Sequence, residues 1–579
     1  MKRFVWVAIC GLSSWGCGGG GLGTPVSQFP SKDELEQFAD DGVNPLPPGS
    51  TIELDEWQMQ PTSAALDPVN QSLQELLAKK AASEQARVAP ELGCAAREAA
   101  RVYAGHEALP DSALQGYLVL RCGSSAVGVQ MQVAYREVRP SESDEQIKEG
   151  LSQLTGQMIG EALEAPHTIA GIGFARGDSR AAIVLAHSVL EAELKDFVPL
   201  ISGNEVNISG RLHQPAESIV GAINSGSYGV ELCKPDRSQK LPNFRLTCPV
   251  NPDDQQATFS VMIGQKGRVL MTTVARGMVR RSDEGGLTYQ PMSFGNVTQA
   301  KDDAHFMKSL HAALNEARAQ AKLQPVKLEL AQSKTNRRVV GHYFKEAFRG
   351  DDENADLIAL GVLAGWNVPG AIKGGGVLPG LVPTTRNPAR FLGQLLEDPT
   401  GRWVLLERDA QSVAIGARVL KPSGLVAMVT IYSFFGSLDH RPDEQAVFEQ
   451  LSQVRVQNDL PAPIRIPASE VQKAVAQVAT GATTTEEALN EAMEGLSGRA
   501  KRGVTGYVME TNDLGFVTFP DVFLQPGPLE IAIGITHYKP PGAAWAQYVL
   551  LFAVLLPDDA SRNMASVQPT RRTPTLGAF

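Results

Sequence analysis

The chain has 579 residues, with 53 Lys and Arg against 63 Asp and Glu for a formal net charge of −10. At about 150 residues per domain that length makes room for roughly four domains, and 43% hydrophobic with 20% charged residues excludes wholesale disorder. A thin acidic surplus argues against a nucleic-acid binder, which carries a basic excess on at least one domain. The 6 Cys are too few for a disulfide scaffold and wrongly spaced for a zinc ribbon.

Lys2 and Arg3 precede a short apolar run that reaches Gly16-Cys17 and four glycines. A basic start, an apolar stretch and small residues at the cut are features of an export signal. The cysteine before a Gly-rich segment resembles a bacterial lipoprotein signal over residues 1–17, with Cys17 acylated after cleavage. Ser14 and Trp15 depart from that pattern, standing where Leu and a small residue are usual. Plain secretion without the lipid is the alternative. Either way the protein is expected to be exported, to the periplasm or outer surface. No later apolar run reaches the ~18 residues of a membrane span.

Residues 18–64 are rich in Gly, Pro, Ser and acid and read as a flexible tether with one short helix at Lys32–Ala39. An α/β module is expected over 65–190. A helix starts near Asp67 and CAAREAARVYA gives another. LQGYLVLRCG and VGVQMQVAYREV read as strands, QIKEGLSQLTGQMIGEAL as a helix, and IAGIGFARGDSRAAIVLAHSVLEAEL as a hairpin around Arg176-Gly177-Asp178. Gly171 and Gly173 lack the spacing of a dinucleotide fingerprint and read as turn geometry.

Between 191 and 282 the rhythm changes to short strands at regular intervals, the pattern of a small, Ig-like β-sandwich. Residues 283–300 read as a linker. The next region, 301–440, opens with the amphipathic helix HFMKSLHAALNEARAQAKLQPVKLE, apolar at Phe306, Leu310, Ala313 and Leu314. A Gly/Pro-rich loop from Trp366 to Pro383 follows, then a helix in ARFLGQLLEDPTGRWVLL and a closing hairpin in SVAIGARVLKPSGLVAMVTIYSFF.

Residues 441–557 repeat this plan in shortened form. LSQVRVQNDLPAPIRI matches LNEARAQAKLQPVKLE at Leu451/Leu314, Arg455/Arg318 and Leu460/Leu323. Ile533-Gly534 and Lys539-Pro540-x-Gly542 match Ile415-Gly416 and Lys421-Pro422-x-Gly424 with the same gap between them. Whether the hairpin at Ile172-Gly173 is a third, more remote copy stays open. Residues 558–579 read as a disordered tail.

An opening helix of this form, a later helix and a terminal hairpin with an Ile-Gly strand resemble the CAP (SCP-like) superfamily of extracellular α-β-α sandwich domains. The whole chain is then a multidomain α+β envelope protein: N-terminal α/β module, Ig-like sandwich and two CAP-like modules. The resemblance implies a cleft with two His and two acids that can bind a divalent metal. His342 stands near the first His, with Glu353 as its acid partner, and an ordinary partly buried His is the other reading of His342. The family's Gly-Glu-Asn segment is missing, Ala389 in Asn387-Pro388-Ala389-Arg390 replaces the second His, and Tyr507 aligns with His342 in the shorter copy. Two ligands fall short of a zinc site. His305 and His311 are six apart, so their rings leave a helix on different faces.

These observations imply no metal, no cofactor and no confident catalytic residue. The reading is a non-catalytic, lipid-anchored envelope protein that binds a protein, lipid or wall ligand, with the loop from Trp366 to Pro383 as docking rim. The alternative is a CAP-type hydrolase acting on peptide, lipid or wall material. Export makes disulfides stable, and pairing within each module gives Cys94–Cys122 and Cys233–Cys248.

Overall fold

The structure, a computed structural model, describes residues 29–556 apart from 41, 44–50, 62–64, 85, 196, 198, 202, 237, 267–270, 283–286, 293, 295–297, 383–384, 421–423, 438, 512–513 and 518, together with the backbone of Ile9–Cys10. Cys17, Lys421-Pro422 and the tail lie outside the described residues. The chain falls into two units: one holds Ser31–Leu363 and Gly376–Ile431, the other Ala364–Gly375 and the residues from Tyr432 on.

In the first unit, α1 (Pro68–Ala81) starts where Asp67 accepts from the Asn70 amide at 2.8 Å and Pro68 occupies a position whose N–H would be unused. It leads into β1 (Arg87–Val88), α2 (Pro90–His106), α3 (Ser112–Arg121), β2 (Gln130–Glu137), α4 (Asp144–Ala162), β3 (Thr168–Arg176) and β4 (Arg180–Val189). The run LQGYLVLRCG, expected as a strand, is helix α3. Asp111 caps it by accepting from the Leu114 amide at 2.9 Å. Leu114, Leu118, Val119 and even Arg121 are buried, so the run is apolar because the helix is enclosed. Cys122, just past α3, bonds Cys94 of α2.

Eight strands follow: β5 (Ala192–Lys195), β6 (Glu205–Leu212), β7 (Ser218–Ser225), β8 (Gly229–Leu232), β9 (Lys234–Pro235), β10 (Asn243–Pro249), β11 (Gln256–Gly264) and β12 (Thr272–Arg280). They form two four-stranded sheets, β9-β10-β6-β5 and β8-β7-β11-β12, that close on one core of residues such as Ile208, Leu246, Phe259 and Val261. The Cys233–Cys248 disulfide closes a loop of 15 residues within it.

Two expected linkers are packed instead. β13 (Thr288–Tyr289) pairs with Trp57–Gln58, and Tyr289, Phe294 and Ala300 are buried. Within the expected tether, Glu98 accepts from Trp57 Nε1 at 3.1 Å and from the Gln60 amide at 3.0 Å, while Leu35 is buried in a short helix, Lys32–Glu36. A few large apolar side chains among polar residues are enough to hold both segments down.

The second helical segment runs α5 (Asp303–Gln320), β14 (Lys327–Leu328), α6 (Leu330–Arg349), α7 (Asp352–Leu363), β15 (Ile372–Val382), α8 (Pro388–Glu397), α9 (Pro399–Leu405), β16 (Ser412–Val419) and β17 (Leu425–Phe434). The expected loop from Trp366 to Pro383 is thus mostly strand β15. Its glycines are where helices press on it: a Cβ at Gly376 would meet Val404, and one at Gly380 the ring of Phe391. ARFLGQLLEDPTGRWVLL is two helices, because Pro399 stops α8 and Asp398 caps α9 by accepting from the Thr400 amide at 2.8 Å.

In the second unit, α10 (Arg441–Gln457), β18 (Ile464–Arg465), α11 (Ser469–Ala479), α12 (Thr485–Ala500), β19 (Val504–Thr511), β20 (Glu530–Tyr538) and β21 (Gln547–Leu555) take the same order. The three sheets share one four-strand order: β1-β3-β4-β2, which Ile9–Cys10 extends at β2, β14-β16-β17-β15 and β18-β20-β21-β19. In each, a two-residue strand lies parallel to the first strand of the hairpin. In each, the helix after that short strand packs on a glycine of the hairpin. A Cβ at Gly173 would stand 2.3 Å from the Arg97 amide, at Gly416 2.3 Å from the Asn336 carbonyl carbon, and at Gly534 2.7 Å from Val471. Gly173 therefore serves a close helix–strand approach rather than a turn.

Candidate functional site

His342 lies on α6, edge-on to Phe38 at 6.2 Å between ring centres. Burial, then Lys345, lowers its pKa, opposed chiefly by Asp40 and Glu346. Glu353 is exposed in the first turn of α7. Asn387 caps α8 by accepting from the Ala389 amide at 3.0 Å, and Ala389 is buried. Tyr507 is on strand β19 against Phe523, whereas His342 is on a helix, so the alignment of the two does not hold. The helix in the position of α6 is α11. His311 Nε2 meets the Val326 carbonyl at 2.8 Å and His305 Nδ1 accepts from the Lys301 amide, so the two rings are used apart. Among the described residues no group of three or more His, Cys, Asp or Glu is placed to hold a metal.

The structure brings a different set together. In the first unit a partly open cavity of about 540 Å³ is lined by α3, the outer face of β7-β11-β12, residues 289–292, α6, β15 and the α8–α9 junction. Pairing places Ser260 opposite Arg276 and Thr258 opposite Met278, with Asn224 beside Thr258. The sheet therefore offers Asn224, Thr258 and Arg276 to the cavity where a solvent-facing side would ordinarily lie. The helix junction covers it. Asn224 Nδ2 donates to Thr258 Oγ1 at 2.7 Å and to the Glu397 carbonyl at 3.0 Å, Ser260 Oγ donates to Asp398 at 3.3 Å, and Arg276 pairs with Asp398 at 3.1 Å.

Glu397 is the most perturbed acid there. It keeps some accessible surface because the cavity reaches it, but protein surrounds it on all sides, and the loss of solvation pushes its carboxyl up to about 8. Arg402 lowers to about 10 through burial while donating to the carbonyls of Leu396 at 2.7 Å, Gly226 at 2.9 Å and Gly229 at 3.1 Å. Burial raises the Tyr117 hydroxyl to about 12 and raises Tyr289 further still. Among the described residues, three buried polar atoms of residues that line the cavity have no hydrogen-bond partner: Arg276 Nε, Asn224 Oδ1 and the Tyr289 hydroxyl. Sequence reading missed this site. The one available signal was Arg276, a cation in the middle of the apolar strand TTVARGMVR.

The second unit holds a smaller cluster. Asp443 Oδ2 is 2.7 Å from His440 Nδ1, and His440 Nε2 is 2.9 Å from His537 Nδ1. A carboxylate accepting at Nδ1 fixes the tautomer, so His440 Nε2 accepts from His537. Phe435 stacks on His537 at 4.3 Å.

No family model matches the chain, and no curated protein matches it. Two solved structures are similar in part. One is an extracellular protein containing a SCP domain from Bacillus anthracis, at 11% identity over 53% of this chain and 81% of that one, with a TM-score of 0.18. The other is a cysteine-rich secretory protein from Staphylococcus aureus, at 11% identity over 42% and 85%, with a TM-score of 0.16. Superpositions this loose do not establish a shared fold. No helix among the described residues is long and apolar enough to cross a membrane.

Proposed function

We propose that this chain is an exported, non-catalytic binding protein of the cell envelope, anchored by lipid on Cys17, with three CAP-like segments and an Ig-like sandwich. The observation that carries the binding role is the cavity at the α8–α9 junction, where Asn224, Arg276, Glu397, Asp398 and Arg402 line one space with apolar side chains. Clefts lined largely by apolar groups with a few convergent polar ones are a usual form of small-molecule site. The shared element order of the three segments, with glycine at each helix–strand contact, supports common descent. His342 and Glu353 belong to the scaffold in this reading, and catalysis is not assigned to either.

The test is to purify the full chain natively, denature it and analyse the extract by mass spectrometry. Gly116 of α3 lines the cavity and a Cβ there meets nothing within 4 Å, so Gly116→Leu fills the space. A small molecule should accompany the wild type and be absent from the variant; equal extracts would refute the binding role. Palmitate labelling should be lost in Cys17→Ser, and labelling that persists would refute the anchor. Calorimetry with Zn²⁺, Mg²⁺ and Ca²⁺ should give no specific heat. Micromolar binding that vanishes in His342→Ala would restore the hydrolase.

A further inference from the structure

The three segments treat the outer edge of the hairpin's first strand differently. In the first, the buried Asn70 of α1 closes the edge of β3 with its side-chain amide: Oδ1 accepts from the Phe174 N–H at 2.7 Å and Nδ2 donates to the Phe174 carbonyl at 3.1 Å. In the third, the buried Glu444 of α10 accepts from the Ile535 amide at 3.3 Å. Phe174 and Ile535 each follow the glycine on which a helix packs, and in the second segment that place belongs to Ala417. Met307 of α5 stands eleven residues before Arg318, as Glu444 stands eleven before Arg455. A thioether is too weak an acceptor to close the edge as a carboxylate does.

The Ala417 N–H and carbonyl point to this edge. β14 pairs with β16 only at Ser412–Val413. The amides of Ile415 and Val419, two residues to either side of Ala417, turn the same way and donate to Ser333 Oγ at 2.9 Å and to Asp303 Oδ1 at 2.7 Å. Ser333, Asp303, Met307 and Ala417 all line one open groove of about 550 Å³ between α5 and α6. Among the described residues nothing bonds the Ala417 N–H or carbonyl on this side. Ala417 is 2% exposed, so a guest reaches it by moving Met307, whose unbranched side chain repacks easily.

Charge selects the guest. Lys301, Lys334, Arg337 and Arg386 line the groove against Asp302 and Asp303. Both acids are in use, Asp302 accepting from the His305 amide at 2.7 Å and Asp303 pairing with Arg337 at 2.7 Å. We propose that the groove takes an extended acidic peptide of a partner protein as an added strand, antiparallel to β16 and continuing the line of β14. One guest residue exchanges both backbone bonds with Ala417, as the Asn70 amide does with Phe174. The guest's side chains alternate between the α5 and α6 walls, carboxylates meeting Lys301 and Lys334 and apolar groups meeting Met307 and the exposed Leu330. The groove shares no residue with the cavity at the α8–α9 junction, so neither site depends on the other.

The experiment selects a random seven-residue peptide library against the full chain and counter-selects against Met307→Glu. That variant installs the closing carboxylate of the third segment, so the frame accepts it. Selected peptides should be rich in Asp and Glu and should bind Met307→Glu at least about tenfold more weakly, the equivalent of one hydrogen bond. Methylating the backbone nitrogen of one peptide residue should cost roughly tenfold, and methylating either neighbour much less, since alternate N–H groups of an added strand point away. Lys334→Glu changes an exposed residue and should weaken binding about threefold at low salt, an effect that high salt erases. Failure to find peptides that tell wild type from Met307→Glu overturns the site. Basic or charge-indifferent selections overturn the acidic guest, and indifference to methylation at every position overturns strand addition. Dimerisation of the wild type in sedimentation, lost in Met307→Glu, would give the groove to a second copy and overturn the peptide.

Discussion

Segments 303–434 and 441–555 have one frame and different contents. In both, an arginine near the end of the opening helix is fully buried: Arg318 on α5 and Arg455 on α10. Arg318 Nε donates to the Gln324 carbonyl at 2.8 Å, and its outer nitrogens to Leu405, Glu407 and Ala410. Arg455 Nε donates to the Pro461 carbonyl at 2.8 Å, and its outer nitrogens to Phe523, Gln525 and Gly527. The helix then ends the same way. Lys322 and Asp459 turn left-handed, and the amides of Leu323 and Leu460 return to the arginine's own carbonyl. What differs lies between the edge strand and the hairpin. The second segment carries α8 and α9, with Glu397 and Asp398 at the cavity, while the third has two short turns, Leu514–Phe516 and Asp521–Leu524. The comparison teaches that the frame tolerates replacement of this insert as long as its carbonyls still reach the arginine.

Breaking the arginine clamp should have the largest effect. Arg318→Leu or Arg455→Leu leaves four carbonyls without their charged donor and should cost about 4 kcal/mol. Hydrogen exchange should rise across the affected segment and stay unchanged in the other. Lys in place of either should recover less than half, because an ammonium cannot span the carbonyls a planar guanidinium reaches. Full protection in the Leu variants would show that the clamp is ornamental.

The glycines sharpen the comparison next. Gly416→Ala drives a Cβ into the backbone of Asn336 and should cost about 3 kcal/mol, whereas Gly534→Ala meets the methyls of Val471 and Val475 closely and backbone only at ordinary contact distance, and should cost about 1 kcal/mol. Denaturant midpoints would check this, and equal losses would mean the two contacts are not graded as the geometry says.

A smaller effect separates the inserts by pH. Glu397 has its pKa raised in the folded state, so its contribution is complete below the ordinary carboxyl range and is lost as pH rises toward 8. Glu397→Gln should therefore gain about 2 kcal/mol on wild type at pH 8 and little at pH 4. A gain independent of pH would show that Glu397 does not hold its proton.

The smallest effect is in the third segment and has the opposite sign. Burial, and then the nearby His440, lower the His537 pKa, so its contribution is present above the ordinary histidine value and lost as pH falls through the lowered one. The segment should lose about 1 kcal/mol on acidification to pH 5, and His537→Phe should remove that dependence. A thermal scan against pH decides it.

The repeat was legible in the chain because its landmarks are chemical necessities. Arg318 and Arg455 recur with Leu323 and Leu460 where a helix must end, and Gly416 and Gly534 recur where a helix must touch a strand. The four cysteines paired as their positions implied, each pair within one stretch of local structure. Helices α4 and α5 showed their period because each keeps one face in solvent. Enclosed elements hid theirs: α3 is buried on nearly all sides, and β15 is written in glycines chosen by the helices above it. The cavity was the least visible feature. Asn224, Arg276, Tyr289 and Glu397 come from four separate stretches, each ordinary in its own neighbourhood. Local sequence determined the frame, since caps, turns and close contacts are short-range demands on single residues. Tertiary structure alone decided the site, because burial and lost solvation arise only when distant surfaces close over the same few polar atoms.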